Sequence, residues 1–183
     1  RELPPDFFGG PTVYGHEGAG VVEAIGDAVT AVAVGDHVVL SFNSCGDCPA
    51  CNQGRLPYCF NLNQYNMSGG RPDGTAAFVD ADGVRVNSHF FGQSSFASHS
   101  IVAETSCVKI DSSYELRKLG PLGCGIQTGA GAILNTLQVE PGSSVVIAGA
   151  GALGLSAVMA AKVAGAGTIV AIDRHANRLE LAE

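Results

Sequence analysis

The 183-residue chain contains no run of eighteen consecutive apolar residues, which argues against a membrane-spanning helix. Its opening residues, RELPPDFFGG, lack the basic and apolar segments of a secretion signal, so a soluble, reducing, cytoplasmic setting is expected. Basic clusters are missing too. Ten Lys and Arg lie scattered among seventeen Asp and Glu, for a net charge of −7. A polyanion would find no basic stripe to bind, so nucleic acid and anionic membrane surfaces are set aside and a small-molecule partner is expected. There is no internal repeat or low-complexity tract. There is no initiator Met, and the C-terminus stops inside the periodic run NRLELAE, so the chain reads as a piece of a longer protein. What is present, 46% hydrophobic and 15% charged residues, is ordinary globular material.

Cysteine is concentrated in one place. Cys45, Cys48, Cys51 and Cys59 in CGDCPACNQGRLPYC follow C-x2-C-x2-C-x7-C spacing, which converges four thiolates on one ion and reads as a closed tetrahedral zinc site. Two alternatives stand beside it. Bacterial iron–sulfur motifs also begin C-x2-C-x2-C but close with x3-C-P, whereas here the last gap is seven and Tyr58 precedes Cys59. Disulfides are the other.

Residues 12–40 alternate apolar and small residues and predict short antiparallel strands, with Gly35-Asp36 as a turn. Residues 41–75 are loop-rich and too poor in periodic apolar positions to build a core, an order that a metal would supply. Residues 76–110 return to strand-like texture, including FFGQSSFASHSIVAE, with Asp82-Gly83 as a hairpin turn. From Tyr114, YELRKL and GIQTGAGAILNTL carry helical spacing, and Pro141-Gly142 breaks the chain before the strand SVVIAGA. A domain boundary is expected between 115 and 140.

At that strand begins a second chemical signal. Gly149, Gly151 and Gly154 form G-x-G-x-x-G, a helix follows, and Asp173 ends the next strand 24 residues after Gly149. Such glycines let backbone approach a pyrophosphate, the helix N-terminus offers N–H groups to it, and the acidic residue accepts ribose hydroxyls. A 2′-phosphate beside Asp173 would be repelled, which favours NAD over NADP, although Arg174 next door could partly offset this. Plain close packing of helix on strand explains the glycines but not the position of Asp173.

The third signal is Gly15-His16-Glu17-Gly18-Ala19-Gly20. A His beside a Glu is by itself more often a surface pair than a ligand. The metal reading gains weight from Cys124, whose Gly-rich setting before a helix suits a low-pKa thiolate, with a small buried thiol as the bland alternative. His37, His89, His99 and His175 are expected to be structural or solvated, and Cys107 a buried thiol. Phe7, Phe8, Phe90 and Phe91 could line an aromatic pocket, but core packing is the default.

Taken in order, GHEGAG, the four-cysteine lobe, GCGIQTG and GAGALG resemble the zinc-dependent medium-chain alcohol dehydrogenases over nearly the whole chain. FFGQSSFASHSIVAE, GCGIQTGAGAILN and GLSAVMAAKVAGA most resemble the aryl-alcohol (benzyl-alcohol) dehydrogenases of that family. The resemblance implies a GroES-like, β-barrel-type catalytic domain over 1–125, incomplete at its N-terminus and carrying a structural zinc lobe at 45–59. The start of a Rossmann NAD-binding domain would follow over 126–183. It implies that His16 and Cys124 hold a catalytic zinc supported by Glu17, and that Cys45, Cys48, Cys51 and Cys59 hold a structural one. It also implies that Thr128 and Leu153 pack the nicotinamide ring and that Arg178 approaches the adenosine ribose, beside Gly149, Gly151, Gly154 and Asp173. A further zinc cysteine with a hydroxyl neighbour would precede Arg1, and the cofactor domain would continue beyond Asp173. The implied reaction passes hydride from a zinc-polarised alkoxide to NAD, with an aromatic primary alcohol or its aldehyde as substrate. The parent would be a homodimer or homotetramer. Aliphatic, formaldehyde-adduct and polyol substrates stay open, as do a non-catalytic zinc-binding module and an iron–sulfur carrier.

Overall fold

The computed structural model describes residues 8–183, which separate into two compact units, one running to Gly123 and one beginning at Cys124. Phe7 lies outside the described residues. In chain order the first unit carries β1 (Ala19–Val21), β2 (His37–Leu40), α1 (Pro49–Asn52), α2 (Leu62–Met67), β3 (Phe78–Val79), β4 (Arg85–Val86) and β5 (Cys107–Ile110). β2 is the middle strand of a three-stranded antiparallel sheet, with Val39 opposite both Ala19 and Val108. Its central place follows from composition: Val38, Val39 and Leu40 are all buried, and a strand apolar on both faces suits cover on both sides.

The predicted Gly35-Asp36 turn leads into β2. Gly35 takes φ +91°, which a Cβ would strain, and Asp36 accepts the Ala33 N–H and pairs with Lys109 of β5 at 2.7 Å. The rest of the expected strand series over residues 12–40 is absent beyond β1 and β2. Glu104 explains why for one stretch: its carboxylate accepts both the Thr30 and Ala31 N–H groups at 2.9 Å, satisfying backbone that would otherwise need a neighbouring strand. β3 and β4 form the predicted hairpin. Its turn is organised by Asp80, whose carboxylate accepts the N–H groups of Asp82 and Val84, with Gly83 at φ +77°.

Two further expectations fail in this unit. FFGQSSFASHSIVAE forms no strand, because His89, Phe91, Gly92 and Ser94 take φ of 60°, 52°, 71° and 50°, and a chain that turns left-handed so often cannot stay extended. YELRKL closes only a single tight turn at Leu116–Lys118, since Pro121 has no N–H to carry an α-helix onward from this stretch.

The second unit holds α3 (Gly125–Gly131), which continues as a wider turn to Thr136, then β6 (Ser144–Ala148), α4 (Ala152–Val163), β7 (Thr168–Ile172) and α5 (Ala176–Glu180). β6 and β7 pair in parallel, with Ser144 opposite Thr168 and Ala148 opposite Ile172. Period-two alternation puts Val145 and Ile147 inward on Ile133, Ala157, Ala160 and Ala161. Alanine at the contact lets α4 lie close on the sheet, and Gly129 carries α3 onto α4: a Cβ there would stand 2.1 Å from the Leu153 carbonyl oxygen. Among the described residues no helix is long and apolar enough to cross a membrane.

Candidate functional site

The lobe brings all four predicted cysteines together. Their sulfurs lie within 4.8 Å of one another, with Cys45 Sγ 4.0 Å from Cys51 Sγ and 3.5 Å from Cys59 Sγ. Zinc–sulfur bonds of about 2.3 Å in a tetrahedron place sulfurs about 3.8 Å apart, so the donor set fits one such ion. A four-iron cluster would insert iron and sulfide between the thiolates and spread them further than this. None of the four forms a disulfide.

Local chemistry shapes the cradle. Pro49 opens α1 where a helix needs no N–H, and Gly46 and Gly54 turn the chain at φ +79° and +72°. The buried Asn66 of α2 then ties the lobe to the strand end: its amide accepts the Asn43 N–H and donates to the Asn43 carbonyl, both at 2.8 Å. Cys48 is lowered to about 6, chiefly by the Phe60 N–H and then the Cys51 N–H, whereas Cys45 is pushed up to about 11, first by its bond with Asp47. Burial raises Cys51. In Cys59 burial is the largest influence and pushes upward, but the N–H groups of Cys45 and Asn61 outweigh it and the thiol ends lowered. Part of the set is therefore disposed to the thiolate form that a metal requires.

The second predicted constellation sits beside β1. His16 is half-buried and Glu17 exposed, on a segment zipped to residues 93–96. Ser94 Oγ donates to the Val13 carbonyl (2.6 Å), the Phe96 N–H to Tyr14 (2.9 Å) and the Ser95 N–H to Gly15 (3.0 Å). Gln93 Nε2 donates to the His16 carbonyl (3.0 Å), and the Gly18 N–H donates to Gln93 Oε1 (3.1 Å). The glycines make this approach possible: a Cβ on Gly15 would lie 2.3 Å from the Phe96 nitrogen, and one on Gly18 2.9 Å from Gln93 Oε1. The His16 ring packs on Phe91 and Phe90 at 4.8 and 5.7 Å between centroids, and Tyr14 and Phe8 extend the cluster. Gln93 was not singled out from the sequence. Nothing local marks it, because its partners stand 75 and 77 positions away.

The chain into Cys124 also runs close to this backbone within the first unit. A Cβ on Gly120 would meet the Glu17 carbonyl oxygen at 2.3 Å, and one on Gly123 the Leu40 oxygen at 1.9 Å. Cys124 itself is half-buried and caps the start of α3.

In the second unit the glycine turn joins β6 to α4. Gly149 takes φ +99°, Gly151 precedes the first helical residue, and a Cβ on Gly154 would fall 1.7 Å from the Gly149 oxygen. Helix α4 thus starts against the strand end with its first N–H groups directed out of the turn, an arrangement suited to an anionic ligand. Asp173 follows β7 with its side chain 6% exposed. One carboxylate oxygen accepts the Ala150 N–H and the other the His175 N–H, both at 2.8 Å, and these bonds, Ala150 first, hold its pKa below the ordinary carboxylate value. Arg178 approaches the same carboxylate at 3.7 Å. Thr128 and Leu153 are exposed near the crossing of α3 and α4 marked by Gly129.

The remaining histidines join no cluster of metal-ligating groups among the described residues. His99 pairs with Glu23 at the surface, His89 bonds Ser88 and is lowered by burial, His175 precedes α5, and the Nδ1 atom of His37 is buried without a hydrogen-bond partner. Cys107 is half-buried rather than fully enclosed.

Residues 4–112 match the alcohol dehydrogenase GroES-like domain. Geraniol dehydrogenase of Castellaniella defragrans is 46% identical over 94% of this chain and 46% of its own length, so the chain spans about half of that relative. A zinc-binding alcohol dehydrogenase protein from Burkholderia ambifaria superposes with a TM-score of 0.92 at 50% identity, over 96% of this chain and 48% of its own. Benzyl alcohol dehydrogenase of Acinetobacter calcoaceticus superposes with a TM-score of 0.87 at 51% identity, over 93% of this chain and 46% of its own. With the four-thiolate cradle in place and this domain matched across most of the first unit, the chain belongs to the zinc-dependent medium-chain alcohol dehydrogenase family.

Proposed function

We propose that the whole protein is an NAD-dependent zinc alcohol dehydrogenase acting on aromatic, benzyl-type primary alcohols. The observation that carries the substrate reading is the aromatic wall beside His16: the rings of Phe91 and Phe90 lie 4.8 and 5.7 Å from its imidazole, a surface suited to another aryl group. The likeness to a benzyl alcohol dehydrogenase at 51% identity supports the same reading. When bound by His16 and Cys124, zinc would supply Lewis-acid polarisation of the alcohol oxygen, and NAD would accept the hydride. His16 and Cys124 act as ligands in this reading, and Glu17 supports them from outside the ligand set. Gly149, Gly151 and Gly154 let the cofactor pyrophosphate reach the start of α4. Thr128 and Leu153 would receive the nicotinamide end, and Asp173 and Arg178 the adenosine ribose. The well-ionised Asp173 supports NAD over NADP, because it would repel a 2′-phosphate. The four-thiolate ion would have no open position and would serve only to order its lobe.

The same reading divides the chain into a catalytic domain over 1–125 and a cofactor domain from 126. It places the parent in the cytoplasm as a homodimer or homotetramer, and expects the 183 residues alone to be inactive. The test is steady-state kinetics of the full-length protein with NAD and NADP. Benzyl alcohol should exceed ethanol, geraniol and sorbitol in kcat/KM. Parity with ethanol would overturn the aromatic assignment, and a preference for NADP would overturn the cofactor assignment.

A further inference from the structure

His16 is the only imidazole assigned to the reaction, yet it stands on a short connecting segment and not inside a strand. A ligand on such a segment needs its backbone held from outside, because rotation about a few dihedrals would swing the ring away. The turn at 89–94 provides that hold. It carries His89, Phe91 and Ser94 at left-handed φ, a conformation that survives in non-glycine residues only where surrounding contacts over-determine it. Those contacts include Ser94 Oγ, which accepts the Phe90 N–H at 2.9 Å and donates to Val13 at 2.6 Å.

We propose that Gln93 is a positioning residue that fixes the zinc histidine by bracketing its main chain, a role that rests on the assignment of His16 above. Its side-chain amide copies a peptide group. One end donates to the His16 carbonyl and the other accepts the Gly18 N–H, so both peptide units flanking Glu17 are held by a single rigid plane. A third, longer contact from Nε2 to the Ser41 carbonyl, at 3.4 Å, ties that plane to the chain just after β2. At 1% exposure Gln93 has no water competing for these bonds, and in such a setting an amide that orders backbone is strongly committed. The imidazole then packs on Phe91 and Phe90, which belong to the same turn, so ring and main chain are both set by residues 90–93. Groups that orient a metal ligand from outside commonly change metal affinity by about 10–100-fold when removed.

The experiment compares wild type, Gln93→Met and Gln93→Glu in the full-length, zinc-loaded protein. Metal release to a chelator and amide hydrogen exchange are followed, with the four-cysteine ion as internal reference. Met keeps the length of Gln and loses both bonds. Glu keeps the acceptor for Gly18 and loses the donor to His16. In both variants the zinc at His16 should leave about tenfold faster or more while the lobe zinc leaves at its wild-type rate. Gly18 should lose amide protection in Gln93→Met and keep it in Gln93→Glu. Both ions released at wild-type rates, or both accelerated alike with protection lost throughout the first unit, would overturn the role. A wild type that holds only the lobe zinc would overturn the assignment of His16 and this proposal with it. Two ions held normally in wild type but unaffected in the variants would overturn the Gln93 role alone.

Discussion

Replacing Gly154 with Ala should damage the fold of the second unit and, with it, the NAD binding proposed above, and the size of the effect follows from one contact. The added Cβ would start 1.7 Å from the Gly149 carbonyl oxygen and 2.8 Å from its carbon. Carbon–oxygen contacts are comfortable near 3.3 Å, so α4 and the glycine turn must part by about 1.5 Å. The obstructing atoms are main chain, and no rotamer change can clear them. Overpacking of this kind costs about 1–3 kcal/mol of stability. The same displacement carries the first turn of α4 away from the glycine turn proposed to receive the pyrophosphate, so on that proposal NAD affinity should fall by at least about tenfold, or 1.4 kcal/mol. Gly151→Ala is the control, since its Cβ would meet nothing within 4 Å although it sits where the proposed pyrophosphate would approach. It should weaken NAD without lowering the unfolding temperature. Calorimetry of unfolding and of NAD binding on the full-length protein reads both quantities. A Gly154→Ala protein with wild-type stability and affinity would refute the steric argument, and a Gly151→Ala protein with normal affinity would refute the cradle.

Stripping metal from the lobe should remove amide protection across residues 45–67 while β6 and α4 keep theirs, because most of the buried apolar set there is the cysteines themselves; protection unchanged by chelation would count against a structural ion. Asp173 has a folded pKa held below the ordinary carboxylate value, first by the Ala150 N–H, so its bonds to Ala150 and His175 contribute stability that is complete above the unfolded value of about 3.9 and is lost as pH falls through the lower folded value. Acid titration of the Ala150 amide should show that loss in wild type and not in Asp173→Asn, and identical curves would contradict it. Asn66→Ala leaves the Asn43 N–H and carbonyl without their buried partner and should cost about 1–3 kcal/mol by denaturant unfolding, whereas a cost near zero would mean that water replaces the amide.

Features encoded over short stretches are legible in the sequence alone. The cysteine spacing confines four thiolates to fifteen residues, and a loop that short can close on one ion almost regardless of what surrounds it. The strand–glycine turn–helix–strand pattern was equally plain, since two of its glycines answer local needs: a positive φ at Gly149 and a contact with its own turn at Gly154. Where strands were expected and turns found, the deciding contacts were distant. Glu104 satisfies Thr30 and Ala31 from more than seventy positions away, and FFGQSSF, with apolar residues that read as strand, turns left-handed to present Gln93 and Ser94 to the segment bearing His16.

By itself, then, the sequence determined where the four thiolates and the strand–glycine turn–helix unit lie, and the family those motifs resemble. Only the tertiary structure decided what holds them: Gln93 on the His16 backbone, Asn66 on the strand end before the lobe, and Asp173 on the glycine turn through Ala150. The reason is range. Ligand spacing and turn conformation are set by neighbours along the chain, but a side-chain amide or carboxylate finds its backbone partner only after folding has brought the two together and excluded the water that would otherwise compete for both.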